Sequence, residues 1–112
     1  MNHFTDREFA CKCCGQVKID SEFLGMLNDA RAIAGIPFII DSGYRCLKHE
    51  AEVNGKGNHP TGKASDIRCE EGIIRLKMLM ALLSVGFRRI GIGKTFIHAD
   101  SCNDKPRSIW LY

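Results

Sequence analysis

His59-Pro-Thr-Gly-Lys-Ala-Ser-Asp66 decides how this chain is read, together with Phe96-Ile-His98-Ala-Asp100 further on. His59, Asp66 and His98 are two imidazoles and one carboxylate, which with an open fourth position is the donor count of a catalytic zinc site. Pro60 and Gly62 suit a turn, and Ala64 to Arg68 alternates as a short strand does. A turn feeding a strand predicts His59 and Asp66 on one wall. The strand-like run Thr95 to Ala99 brings His98 to the opposite wall. On ligand type alone the alternative is a loop histidine, a turn aspartate and a satisfied buried ring, since histidine is not exclusively a ligand.

The surrounding residues favour the metal. His59-x-x-Gly62-x-Ala64-x-Asp66, preceded by Ser42-Gly43-Tyr44-Arg45 and followed by Phe96-Ile97-His98-x-Asp100, resembles the zinc D-Ala-D-Ala carboxypeptidase family. That family includes phage L-alanyl-D-glutamate endopeptidases and vancomycin-resistance dipeptidases, and shares its fold with the hedgehog signalling domain. The resemblance runs from about Phe9 to the C-terminus. It implies zinc on His59, Asp66 and His98, and a substrate-facing Arg45. It implies a small α+β domain whose antiparallel sheet packs against helices. Two positions depart from the family pattern: Thr95 stands where the best-known members have Asp or Glu three residues before the last ligand, and Gly57 stands where Ser is usual.

With 112 residues the expectation is one domain, spanning 1–112, with 1–18 a cysteine-rich N-terminal cap. No apolar run approaches the roughly 20 residues of a membrane span. The N-terminus lacks the apolar core of an export signal, so synthesis in the cytoplasm and later action on the cell wall is the expectation. The net charge of +3 comes from scattered Lys and Arg, which argues against a nucleic-acid partner. A monomer is expected.

Cys11, Cys13 and Cys14 crowd one turn, while Cys46, Cys69 and Cys102 are spread out. Cys11-x-x-Cys14 has the spacing of half a structural zinc site, but no later pair repeats it. Free thiols are ranked first, a second structural metal using Cys11 and Cys14 next, and disulfides last. Phe4, Phe9 and Cys11 are the groups that could anchor the cap, with Gly15 as a turn.

A first helix is predicted over Ser21 to Ala34. Asp20 caps it, Ile19 and Leu24 staple it, Phe23, Leu27, Ala30 and Ala34 form its buried face, and Gly35 and Pro37 end it. A second is predicted over Glu70 to Val85, apolar on so much of its circumference that burial on most sides is expected. Residues 46–53 read as a short helix, with His49 and Glu50 on its surface, and Asn54 to Asn58 as a glycine-rich loop. Strands are predicted at Phe38 to Asp41, Phe87 to Ile92, Thr95 to Ala99 and Ser108 to Leu111, with Gly91 and Gly93 as hairpin glycines.

Arg45, a permanent cation with a planar fork, suits a substrate carboxylate or a developing oxyanion; its plain alternative is a surface salt bridge. Asp100 is the nearest carboxylate to His98. Two roles stand level for it: general base, or a group that orients His98 from behind. The reading is a Zn2+ peptidase of peptidoglycan stem peptides. The alternatives are a non-catalytic zinc-binding module of the same fold, or a phage structural component used for attachment.

Overall fold

The computed structural model describes residues 3–53 and 58–112. Gly57 and the rest of the glycine-rich loop up to Asn58 therefore lie outside the described residues. The order of elements is α1 (Ser21–Ala34), β1 (Ile40–Ser42), α2 (Leu47–Glu52), β2 (Ala64–Arg68), α3 (Gly72–Ser84), β3 (Arg89–Ile92), β4 (Phe96–Asp100) and β5 (Ser108–Leu111). A short 3-10 turn at Asp6–Phe9 precedes them, and another at His59–Thr61 leads into β2.

α1 has the bounds its caps predict. The Asp20 carboxylate accepts the Phe23 N–H at 2.9 Å, and Gly35 closes the helix at φ 67°, a left-handed conformation that favours glycine. Phe23, Leu27 and Ala30 are buried against α3 and the sheet. The anchors of the N-terminal cap are buried too: Phe4 and Phe9 stack edge to face at 5.5 Å, and Cys11 is covered.

The five strands form one sheet in the order β1-β2-β4-β3-β5. β2 leads through α3 to β3, and β4 then inserts between those two strands, so the strand carrying His98 lies at the centre. Three pairings are antiparallel, as expected, but β5 joins β3 in parallel, which makes the sheet mixed. That partner is set by long-range packing that no local pattern encodes.

Side chains alternate across the sheet. Ile67, Ile90, Ile97 and Ala99 face the helices and complete the core with Phe9, Phe87, Met78 and Leu82. Asp66, His98, Asp100, Arg89 and Trp110 occupy the opposite face, because their register pairs them directly: Asp66 with His98, Arg89 with Asp100, and Gly91 with both His98 and Trp110.

α3 departs from expectation. Met78, Ala81 and Leu82 are buried, but Ile73, Leu76, Met80 and Leu83 are exposed, Met80 by 60%. Its inner face meets α1 and the sheet, and no described element covers the outer one. Gly91 also differs from a hairpin glycine. It lies inside β3, where a Cβ would come within 2.5 Å of Tyr112 and 2.6 Å of Trp110. Glycine there lets both rings lie against the sheet beside His98.

Candidate metal centre

The three predicted ligands meet. His59 comes from the 3-10 turn before β2, whose exit is fixed by Gly62 at φ 74°, with its carbonyl accepting the Asp20 N–H at 2.9 Å. A Cβ on Gly62 would stand 2.7 Å from the Lys18 carbonyl oxygen, so the N-terminal segment can lie against this turn only because the residue is glycine. Asp66 and His98 are cross-strand partners on one face of the sheet. One ligand atom from each of His59, Asp66 and His98 lies within 4.8 Å of the others.

The contacts fix which nitrogen faces the centre. His59 Nδ1 donates to the Gly43 carbonyl at 2.7 Å, which leaves Nε2 facing Asp66 Oδ1 at 3.5 Å. His98 Nε2 donates to Asp100 Oδ2 at 2.7 Å, which leaves Nδ1 facing Asp66 Oδ1 at 2.9 Å. Neighbouring ligand atoms of a tetrahedral site with metal–ligand bonds near 2.0–2.1 Å lie about 3.4 Å apart, so the arrangement fits zinc. It also requires a cation. A neutral His98 would set an Nδ1 lone pair against a carboxylate oxygen, and either a proton or a metal ion must stand between them.

Behind this centre Asp100 is fully buried and accepts four donors: His98 Nε2, Arg89 Nε at 2.8 Å, Asn58 Nδ2 at 3.2 Å and the Cys102 N–H at 3.2 Å. Arg89 in turn donates to the Pro106 carbonyl and stacks over Trp110 at 5.0 Å. In front, a cavity of about 750 Å³ opens against the ligands. Arg45 lines it, bonded to Glu50 at 2.9 Å and to Asp66 Oδ2 at 3.3 Å. The plain alternative for Arg45, an ion pair, is therefore present, but in the site and not on the open surface. Glu50, expected on the helix surface, is buried beneath it. Asp100 does not line this cavity, and Thr95 is exposed in the β3–β4 turn, where its carbonyl accepts the Cys69 N–H.

The sequence did not single out Asn58, Arg89, Lys105, Trp110 and Tyr112 as site residues; they line the cavity together with Phe96 of the last motif. Lys105 Nζ donates to Asn58 Oδ1 at 2.5 Å. The rings of His98, Trp110, Tyr112 and Phe96 run in sequence at centroid separations of 5.5, 6.3 and 4.9 Å. One signal existed: Trp110 lies in β5 and Tyr112 follows two residues on, where an extended chain returns to the same face.

The charges around His98 set a pH dependence. Burial lowers its pKa, but hydrogen bonds to Asp100 and Asp66 and their charges outweigh burial, and the net shift is upward. Burial raises Asp66, while hydrogen bonds from His59 and His98 more than reverse it and hold the carboxylate ionised well below its ordinary range. Because the folded pKa of His98 exceeds the unfolded value of about 6.5, its contribution to metal-free stability is complete below that pH and is lost as pH rises through the folded pKa. A metal needs the unprotonated Nδ1. Zinc affinity at this centre should therefore climb about tenfold per pH unit below the folded pKa and level off above it. Ring-proton resonances of His98, followed during zinc titrations between pH 5 and 8, check this; a pH-independent affinity contradicts it.

A sequence model of the family described as Peptidase M15 matches residues 2–100, most of the chain. No curated protein matches the sequence. The matched segment ends at Asp100, before the residues that supply Lys105, Trp110 and Tyr112 to the cavity.

Proposed function

The chain belongs to the M15 peptidase family, and from that premise we propose a zinc-dependent peptidase that hydrolyses the stem peptides of peptidoglycan. One observation carries the reading: His59 Nε2, Asp66 Oδ1 and His98 Nδ1 converge beside an open cavity, the two imidazoles each fixed by a partner behind it. Zinc there would lower the pKa of a bound water to about 7 and polarise a scissile carbonyl. Gly43 and Asp100 hold the two imidazoles in the tautomers that leave their inner nitrogens free. Arg45 keeps donors beyond the two spent on Glu50 and Asp66, and these suit a substrate carboxylate or the oxyanion of the scissile group. The rings of Phe96, Trp110 and Tyr112 give one side of the cavity an aromatic wall.

Asp100 is assigned here as the group that orients His98. Its burial, its four donors and its position off the cavity support that role over general base. A second reading, a zinc-binding module without turnover, is favoured by one fact. Among the described residues lining the cavity, Asp66 has the sole side-chain carboxylate. Incubating zinc-loaded protein with purified peptidoglycan separates the two. Fragments identified by mass spectrometry should show either released D-alanine or cleavage between L-Ala and D-Glu, which also assigns the bond. Intact peptidoglycan with zinc bound would favour the module.

A further inference from the structure

A second cluster of metal-binding side chains lies outside this centre. Sγ atoms of Cys11, Cys14 and Cys46 are within 4.8 Å of one another, although Cys46 is 32 residues beyond Cys14 in the chain. The geometry points to a second, structural zinc site held by Cys11, Cys14 and Cys46, with Cys13 the nearest remaining thiol for the fourth position. It stands independently of the peptidase reading.

Three features support a metal over loose thiols. The first is the separation. Tetrahedral zinc–thiolate sites with bonds near 2.3 Å set their sulfurs about 3.8 Å apart, and the three sulfurs here already lie within 4.8 Å of one another. The second is the pattern of backbone amides. Cys11 Sγ accepts the Cys46 N–H at 3.4 Å and is faced by the amides of Cys14 and Cys13 from its own turn. Cys46 Sγ accepts the His49 N–H at 3.4 Å. Amides aimed at sulfur stabilise a thiolate, the form that binds metal. The third is the turn. The Gly15 N–H bonds the Cys11 carbonyl at 2.7 Å, the Cys11 N–H bonds the Gln16 carbonyl at 2.7 Å, and Gly15 has φ 76°. The tight reversal sets Cys11 and Cys14 toward one point, and the N-terminus of α2 brings Cys46 to it. Cys13 joins through its thiol contact with Cys46.

Such an ion would fasten the cap to the segment that serves the peptidase centre. Phe9 already bonds that segment, its carbonyl accepting the Tyr44 N–H at 2.8 Å, and a Cβ on Gly43 would stand 2.6 Å from Phe9 Cα. Gly43 positions His59, Arg45 lines the cavity and Cys46 would hold the metal, all within four consecutive residues. Binding displaces the remaining thiol protons into solvent and changes no oxidation state.

Cobalt(II) is the probe, because thiolate ligands give it an intense near-ultraviolet charge-transfer absorption that imidazole and carboxylate ligands do not. The reduced full-length protein, stripped of metal and titrated with cobalt(II), should develop that absorption. So should the His59→Ala, His98→Ala double variant, in which the other centre is destroyed. Cys46→Ser and Cys11→Ser should abolish it. If a cysteine variant does not fold, the double-histidine variant still decides, since its absorption can come only from cysteines. Folded, reduced wild-type protein without thiolate-to-cobalt absorption would overturn the proposal. So would a peptide map of the freshly purified protein that joins Cys11 to Cys46 as a disulfide.

Discussion

His59→Ala should lose zinc from the imidazole–carboxylate centre, and peptidase activity should fall to background while the fold persists. The residue suits this test because it stands on a short turn outside the sheet ladder, and its removal leaves Asp66 paired with Arg45 and Asp100 paired with Arg89. Lewis-acid and water-activating chemistry supplies several kcal/mol of transition-state stabilisation, so activity should drop on the order of 10³-fold or more. Stability reports the loss separately. Zinc at about 100 times its Kd stabilises the native state by about 2.7 kcal/mol, on the order of 10 °C in the melting temperature of a domain this size. The increment that the imidazole centre contributes in the wild type should vanish in His59→Ala, and metal analysis should find one zinc fewer. Unchanged zinc content, or hydrolysis within a small factor of wild type, would remove His59 from the site.

What the sequence made legible followed from local rules. Asp20, Gly35 and Pro37 set the bounds of α1, because a cap and a left-handed terminus are properties of a few adjacent residues. Alternation over Ala64–Arg68 located β2 and placed Asp66 on one face. The meeting of Asp66 with His98 came instead from the resemblance, since cross-strand register joins residues 32 apart and leaves no local trace. For the same reason the parallel docking of β5, and with it the aromatic wall, was not foreseen. Gly91 read as a turn residue because its purpose, room for Trp110 and Tyr112, exists only once β5 has docked. The outer face of α3 misled in the opposite direction. Apolar residues on two faces imply two partners, and the described fold supplies one. Cys46 was a candidate partner for Cys11 and Cys14 that spacing alone could not choose over Cys69 or Cys102; both of those are buried elsewhere in the fold.

Asp100→Asn distinguishes an orienting carboxylate from a proton acceptor. Four donors converge on Asp100, with His98 Nε2 and Asn58 Nδ2 on Oδ2, and Arg89 Nε and the Cys102 N–H on Oδ1. Asparagine keeps the shape but replaces one oxygen with an NH2 donor, which must be turned toward one of these pairs. Turned toward Arg89, it sets a donor against a permanently charged, mostly buried guanidinium, the costlier choice. Turned toward His98, it is accommodated when the ring moves its proton from Nε2 to Nδ1, the nitrogen that faces Asp66. That tautomer withdraws the lone pair from the metal. Zinc affinity should therefore fall 10–100-fold, in the range found for lost outer-sphere partners of metal ligands, and hydrolysis at saturating zinc should stay within a small factor of wild type. A general base gives the reverse: zinc affinity held, and hydrolysis at saturating zinc lower by roughly 10²–10⁴. Chelator competition gives the affinity, turnover against added zinc gives the second number, and ring-nitrogen NMR reports which His98 nitrogen carries the proton. A variant that binds zinc as tightly as wild type, with His98 still protonated on Nε2 and hydrolysis lower by roughly 10²–10⁴, would return Asp100 to the role of base.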